Sequence, residues 1–193
     1  MSDSPATGRP STWRISTTTT LLDTPIMRVQ ASCVSRKDSH REQQFYRLHF
    51  PSWVHVIAVT GNEKLVLIRQ YRFGTDRVEL EIPGGAVDQD EDPLLAGLRE
   101  LREETGYVAR EARIIGSVRP NPAIQNNLCY TVLALGVEPS AAPQPEELEE
   151  IKVLTLPFDE VMRLVAAGEL QHGLVLNGLM FYAMESGKRL TFP

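Results

Sequence analysis

The sequence predicts an α/β fold in which helices cover a sheet. Three observations carry that prediction. Runs of strand length, rich in Val, Ile and Leu, recur along residues 53–60, 65–71, 78–82, 112–118, 128–135 and 151–156. One segment, 93–105, has helical composition with a start and a stop signal. Two further segments, 158–167 and 174–184, space their apolar residues as amphipathic helices whose apolar faces would cover the sheet.

Residues 1–12, MSDSPATGRPST, are small, polar and broken by Pro and Gly, which predicts a mobile tail. Residues 13–50 read as several short strands. The stretch 27–34 alternates in part, residues 43–50 carry Phe45, Leu48 and Phe50 among polar neighbours, and 35–39 is a turn between them. From residue 51 to 193 the remaining elements form one larger domain. Strand 53–60 and strand 65–71 flank the turn Gly61-Asn62-Glu63-Lys64, with Val54, Val56, Ile57, Val66, Leu67 and Ile68 as core. His55 has no visible partner and reads as a structural histidine. Residues 78–82, VELEI, alternate strictly, so Val78, Leu80 and Ile82 are expected in the core and Glu79 and Glu81 on the other face.

Residues 85–107, GAVDQDEDPLLAGLRELREETGY, organise the chain. Asp92 suits a helix N-cap, Pro93 its first turn and Gly106 its stop. At about 100° per residue Leu94, Leu98 and Leu101 share one face. Glu100, Glu103 and Glu104 share another, at i, i+3 and i+4, and Ala96 lies one turn before them. Three like charges on a short face repel, and a divalent cation with hard oxygen ligands offsets that. Arg99 sits one turn from Glu103, in reach to orient it. The plain alternative is a solvated acidic face. Ile82-Pro83-Gly84-Gly85 favours the metal reading, because two glycines let backbone approach a ligand.

The spacing of Gly85, Glu91, Arg99-Glu100-Leu101, Glu103-Glu104 and Gly106-Tyr107 resembles the box of the Nudix family. The resemblance covers roughly residues 13–185. It implies an α/β/α sandwich with a mixed curved sheet, preceded by an N-terminal antiparallel sheet that contributes to a homodimer. It further implies Mg²⁺, or Mn²⁺, held by the Gly84 carbonyl, Glu100, Glu103, Glu104 and a late glutamate, Glu149. Two features resemble the ADP-ribose and nucleoside-diphosphate-sugar branch. Arg72 in RQYR would approach a substrate phosphate, where a planar guanidinium binds two oxygens at once. Pro122 stands near the position of that branch's proline, although NPAIQNN replaces the usual Ser-Pro-Gly; Asn126 in this loop is a candidate for a ribose or sugar. Glu81 and Gly85 are further substrate candidates. The acidic run 146–150 resembles the branch's late loop, with Glu147 the base by best spacing and Glu146 or Glu150 in other registers. Glu103 is the competing base, and Arg99 completes the catalytic set. His172 reads as a capping or packing residue.

The expected function is therefore Mg²⁺-dependent hydrolysis of the diphosphate of ADP-ribose or a related nucleoside diphosphate sugar. The products would be a nucleoside monophosphate and a sugar phosphate. The alternatives are a nucleotide or dinucleoside polyphosphate hydrolase of the same fold, and a nucleotide sensor that no longer cleaves. A net charge of −5 argues against a general nucleic-acid surface. No apolar run reaches spanning length, which leaves the membrane out of the expected partners. Cys33 and Cys129 have no metal-type spacing, so a reducing cytoplasm is expected.

Overall fold

The computed structural model describes residues 13–37, 39, 41–144 and 150–189. The expected tail at 1–12, and Glu147 and Glu149, lie outside the described residues. The chain divides into two compact units. One contains residues up to Phe50 together with Asn121–Asn126, and the other contains Pro51–Pro120 and the chain from Asn127 onward.

The first unit is a three-stranded antiparallel sheet, β1 (Trp13–Asp23), β2 (Arg28–Arg36) and β3 (Glu42–His49), in that order. The β1–β2 connection is tied by Thr24, whose N–H and hydroxyl both donate to the Met27 carbonyl. Register shifts at Ile15/Thr17 and Thr20/Leu22 interrupt the β1–β2 ladder. The segment from Asn121 joins this unit through the Leu48 N–H, which donates to the Ile124 carbonyl at 2.7 Å.

The second unit is built on one mixed sheet. Its strands are β4 (Trp53–Thr60), β5 (Lys64–Arg72), β6 (Arg77–Glu81), β7 (Gly84–Ala86), β8 (Tyr107–Val108), β9 (Glu111–Val118), β10 (Cys129–Pro139) and β11 (Ile151–Pro157). The main path runs β11-β5-β4-β10-β8, with β6 on β5, β7 on β4 and β9 on β10. Among the described residues of this sheet only β4 and β10 pair in parallel. Both are apolar almost throughout because both faces of the sheet are covered.

Alternate residues divide the core in two. Val54, Val56, Ala58, Val132 and Ala134 pack with Ala96 and Leu101 of helix α1 (Pro93–Thr105). Ile57, Val59 and Leu133 face the other way, onto α2 (Phe158–Ala166) and α3 (Gly173–Ser186) through Phe158, Val161, Val175 and Leu179. Gly97 sets how closely α1 lies on the sheet, since a Cβ there would stand 3.0 Å from both Val54 and Val132 methyls.

Two expectations are corrected. Ala96 is buried in the core beneath α1 and does not border an open acidic face. Val78 is 63% exposed, whereas Leu80 and Ile82 are buried. Glu81, on the face opposite Leu80, is buried as well. At this end of β6 the far face is covered too, so strict alternation no longer separates core from solvent.

Candidate active site

Helix α1 begins and ends as its residue types dictate. The Asp92 carboxylate accepts from the Leu94 and Leu95 N–H groups at 2.8 and 3.3 Å, which serves two of the free donors of the first turn. Gly106 closes the helix at φ 74°, and its N–H donates to the Arg102 carbonyl. A side chain there would also strike the Ala141 carbonyl oxygen, so residue 106 has to be glycine on two counts.

The glycine pair before α1 is fixed by its neighbours. A Cβ on Gly84 would stand 2.2 Å from the Val54 carbonyl oxygen, and one on Gly85 would meet the Glu100 carboxylate at 2.5 Å. The Gly84 N–H donates to the Glu104 carboxylate at 2.9 Å, tying the loop to the helix. Glu104 therefore lies on the buried side of α1, only 3% exposed, yet aims its carboxylate at the loop.

Arg99 holds the other acidic groups. Its Nε and Nη2 donate to the two oxygens of Glu91, at 3.0 and 3.1 Å. Its Nη1 donates to Glu100 at 2.9 Å and to Glu103 at 3.1 Å. The hydrogen bonds that Arg99 donates to Glu91, opposed by partial burial and aided by Glu100 and Glu103, raise the Arg99 pKa and keep it charged. The same partner lowers the pKa of Glu91. Glu91 was visible in the sequence spacing, but its part as the second jaw of this clamp depends on the turn of the loop at 88–91.

A second cluster comes from the opposite strands. Arg72 donates to both oxygens of Glu81, at 2.7 and 2.9 Å. Burial works to raise the Glu81 carboxyl, but the bonds and charge of Arg72 hold it below the usual carboxylate range. His172 is the N-cap residue of α3, where its carbonyl accepts from the Leu176 N–H and its side chain makes no cap bond, and its Nδ1 lies 4.0 Å from Glu81. Its ring contacts that of His55 at 5.5 Å between centroids. Burial, then the neighbouring His172, lowers the His55 pKa to about 4 and keeps it neutral. The Nδ1 atoms of both histidines are buried without a hydrogen-bond partner among the described residues. The His55 ring also has a backbone hydrogen bond with Leu174, so only its Nδ1 is left without a partner among the described residues.

Gly84, Gly85, Arg99, Glu100, Glu103, Glu104 and Arg72 line one cavity of about 680 Å³. Trp53, His55, Ala86, Asp88, Gln144, His172 and Leu174 complete it. None of these seven was singled out as a site residue in the sequence: Trp53, His55, Gln144, His172 and Leu174 lie outside the box, and Ala86 and Asp88 fall between its fixed positions. Glu81 lines a neighbouring cavity of about 1110 Å³. Pro122 and Asn126 belong to the N-terminal unit, where the Asn126 side chain accepts from the Phe50 N–H at 3.3 Å. Neither lines the cavity.

The donor set suits a hard divalent cation. Three carboxylates and the Gly84–Gly85 loop border one space, and the two glycine positions leave no room for a side chain there. Among the described residues no three acidic, His or Cys side chains converge on one point. Arg99 spans Glu100 and Glu103 and occupies the oxygens that a cation would share. Binding would exchange these ion pairs for metal bonds.

A family model described as the NUDIX domain matches residues 49–176. The chain is 32% identical over 122 residues to an ADP-ribose pyrophosphatase of Bacillus subtilis (strain 168), across 62% of this chain and 65% of that protein. It is 34% identical over 119 residues to an ADP-sugar pyrophosphatase of Mus musculus, across 58% and 54%. The chain thus spans less than two thirds of the length of these curated relatives. In fold it is similar to a crystal structure of an ADP compounds hydrolase, with TM-score 0.82 and 20% identity over 95% of this chain and all of the other. With the box glycines, Arg99 and the three helix carboxylates in one cavity, and the domain match extending over well over half its length, this chain belongs to the Nudix family.

Proposed function

We propose that this protein is a pyrophosphohydrolase that cleaves the diphosphate of ADP-ribose or a related nucleoside diphosphate sugar. The observation that carries this reading is the shared cavity, which sets the box carboxylates across from Arg72. The names of the similar pyrophosphatases support the substrate class.

The residues divide the work. Glu100, Glu103, Glu104 and the Gly84 carbonyl would hold Mg²⁺ or Mn²⁺, with Glu149 as a further ligand from the sequence. Once bound, the cation supplies neutralisation of the diphosphate charge and acidification of the attacking water. Arg72, held in orientation by buried Glu81, would place its planar guanidinium against phosphate oxygens. Arg99 holds Glu100 and Glu103 in place until a cation takes their oxygens, and its two bonds to Glu91 would keep it beside them. A carboxylate takes the water proton as the new P–O bond forms and the second phosphate leaves. Glu103, the most exposed of the box carboxylates, and Glu147 of the late acidic loop are the two candidates.

A panel of ADP-ribose, other nucleoside diphosphate sugars, dinucleoside polyphosphates and nucleoside triphosphates, assayed with Mg²⁺ and with Mn²⁺, tests the proposal. Release of AMP and ribose 5-phosphate from ADP-ribose is the expected result. Faster turnover of the triphosphates or dinucleoside polyphosphates would replace the substrate assignment, and binding without turnover of any compound would replace enzyme by sensor. The reading places the enzyme in the cytoplasm as a homodimer; among the described residues no helix is long and apolar enough to cross a membrane.

A further inference from the structure

We infer that His172 is a further substrate-contacting residue, an imidazolium backed by Glu81 on one side that meets a diphosphate oxygen beside Arg72 on the other. The inference rests on the diphosphate reading above.

His172 stands between two environments. Its Nδ1 is buried, has no hydrogen-bond partner among the described residues and lies 4.0 Å from Glu81 Oε2. The side chain as a whole is 39% exposed, so the open part of the ring is the opposite side, which carries Nε2. The ring lines the same cavity as Arg72 and the box carboxylates. A carboxylate thus stands behind an imidazole, with one ring nitrogen toward the acid and the other toward the ligand space. The same Glu81 oxygen accepts from Arg72 Nη2 at 2.9 Å. One buried carboxylate therefore backs both groups at one cavity wall. At 4.0 Å the imidazole is within ion-pair range and outside hydrogen-bond range. Protonation supplies the donor and the charge that close this gap.

Charge gives His172 its part. The groups facing it are Glu81 on β6, Arg72 on β5 and His55 on β4, with the carboxylates and Arg99 of α1 lining the same cavity. Arg72 and Glu81 neutralise each other. His55 stays neutral, because burial and then His172 lower its pKa to about 4. Beside this neutral pair, the proton on His172 is the one that adds net positive charge. A neutral ring with its proton on Nδ1, toward Glu81, would offer a phosphate oxygen only the Nε2 lone pair. The imidazolium offers a donor to each anion. The diphosphate therefore binds more tightly below the pKa of His172, and by linkage the bound diphosphate raises that pKa.

Titration calorimetry from about pH 5.5 to 8.5, a range that spans the ordinary histidine pKa, tests this without turnover. The probe is an ADP-ribose analogue with a methylene in place of the bridging oxygen, in the presence of Mg²⁺. Each phosphoryl group of such a diester has a single, strongly acidic proton, so the ligand keeps one charge and the pH dependence belongs to the protein. Wild-type affinity should fall about tenfold as pH rises, the loss of one charge-assisted hydrogen bond. His172→Gln should lose most of this dependence and bind at low pH about as weakly as wild type does at high pH. In the wild-type protein, the His172 ring resonances followed by NMR should titrate at higher pH with the analogue bound than without it. Equal pH dependence in His172→Gln and wild type, a wild-type affinity that is flat with pH, or a His172 titration left unmoved by the analogue would each overturn the inference. The substrate reading fails separately: no binding of the analogue at any pH would remove the diphosphate reading and this inference with it, whereas binding that is flat with pH removes the inference alone.

Discussion

Glu104 combines two demands that usually exclude each other, since its carboxylate is buried against the core and bonded to a loop N–H while it borders the cavity. Glu104→Gln keeps the size and an acceptor for Gly84 but removes the charge. Turnover with saturating Mg²⁺ should fall about a hundredfold or more, the effect of losing roughly 3 kcal/mol of metal-held charge stabilisation. A wild-type kcat in this variant would reject the assigned site. Glu81 gives a pH-dependent prediction. Its folded pKa is depressed, so its contribution to stability is complete above the unfolded value of about 4.3 and is lost as pH falls through the folded value. Denaturant unfolding should therefore show Glu81→Gln destabilised at pH 7, with the gap from wild type shrinking below pH 4. A gap that stayed constant down to pH 3 would contradict the buried ion pair. Cys129 gives a third test. Burial pushes its thiol pKa up to about 12, so in the folded protein at pH 8 it should resist alkylation, whereas Cys33 is only partly buried. Mass spectrometry after iodoacetamide treatment, with and without denaturant, would show it.

Helix α1 joins core to site, so its ends carry the consequence of small changes. Asp92→Ala leaves two N–H groups of the first turn without their side-chain acceptor. It should lower stability by about 0.5–2 kcal/mol. Because the carboxylates lie two to three turns further on, Mg²⁺ affinity should change less than stability does. Thermal unfolding and a Mg²⁺ titration of activity, run on the same variant, distinguish a fraying helix end from a displaced site. A loss of activity with unchanged melting temperature would contradict this division of roles.

At the scale of the whole molecule, the described residues of the N-terminal unit leave several large apolar side chains in the open. Every residue of β1 is exposed, and Trp13, Ile15, Leu21, Leu22 and Ile26 are among the large apolar side chains facing solvent. A three-stranded sheet with such a strand buries too little by itself, and a second copy of the chain is the proposed cover. Light scattering should give a dimer mass at micromolar concentration, and Ile15→Lys with Leu22→Lys should shift it toward monomer. A monomer mass for the unaltered protein over the same range would remove the homodimer proposal.

The sequence by itself determined the parts of this protein that local chemistry encodes. Asp92, Pro93 and Gly106 bound α1 as their backbone preferences require, and the spacing of Glu100, Glu103 and Glu104 brought all three to one cavity because helical periodicity is a local property. The strands from β4 to β11 were legible as apolar runs for the same reason. Tertiary structure decided what lies across from them. The box helix gives no sign that Trp53, His55 and His172 come to its cavity, since these residues arrive through the β4–β7 pairing and the approach to α3. Val78 is exposed and Glu81 buried because burial along β6 is set by covering elements rather than by alternation along the strand. Pro122 and Asn126 lie close in sequence to β10 yet fold with the N-terminal unit, where Leu48 takes up their loop. Periodicity fixes which residues share a face, and only long-range pairing fixes what that face meets.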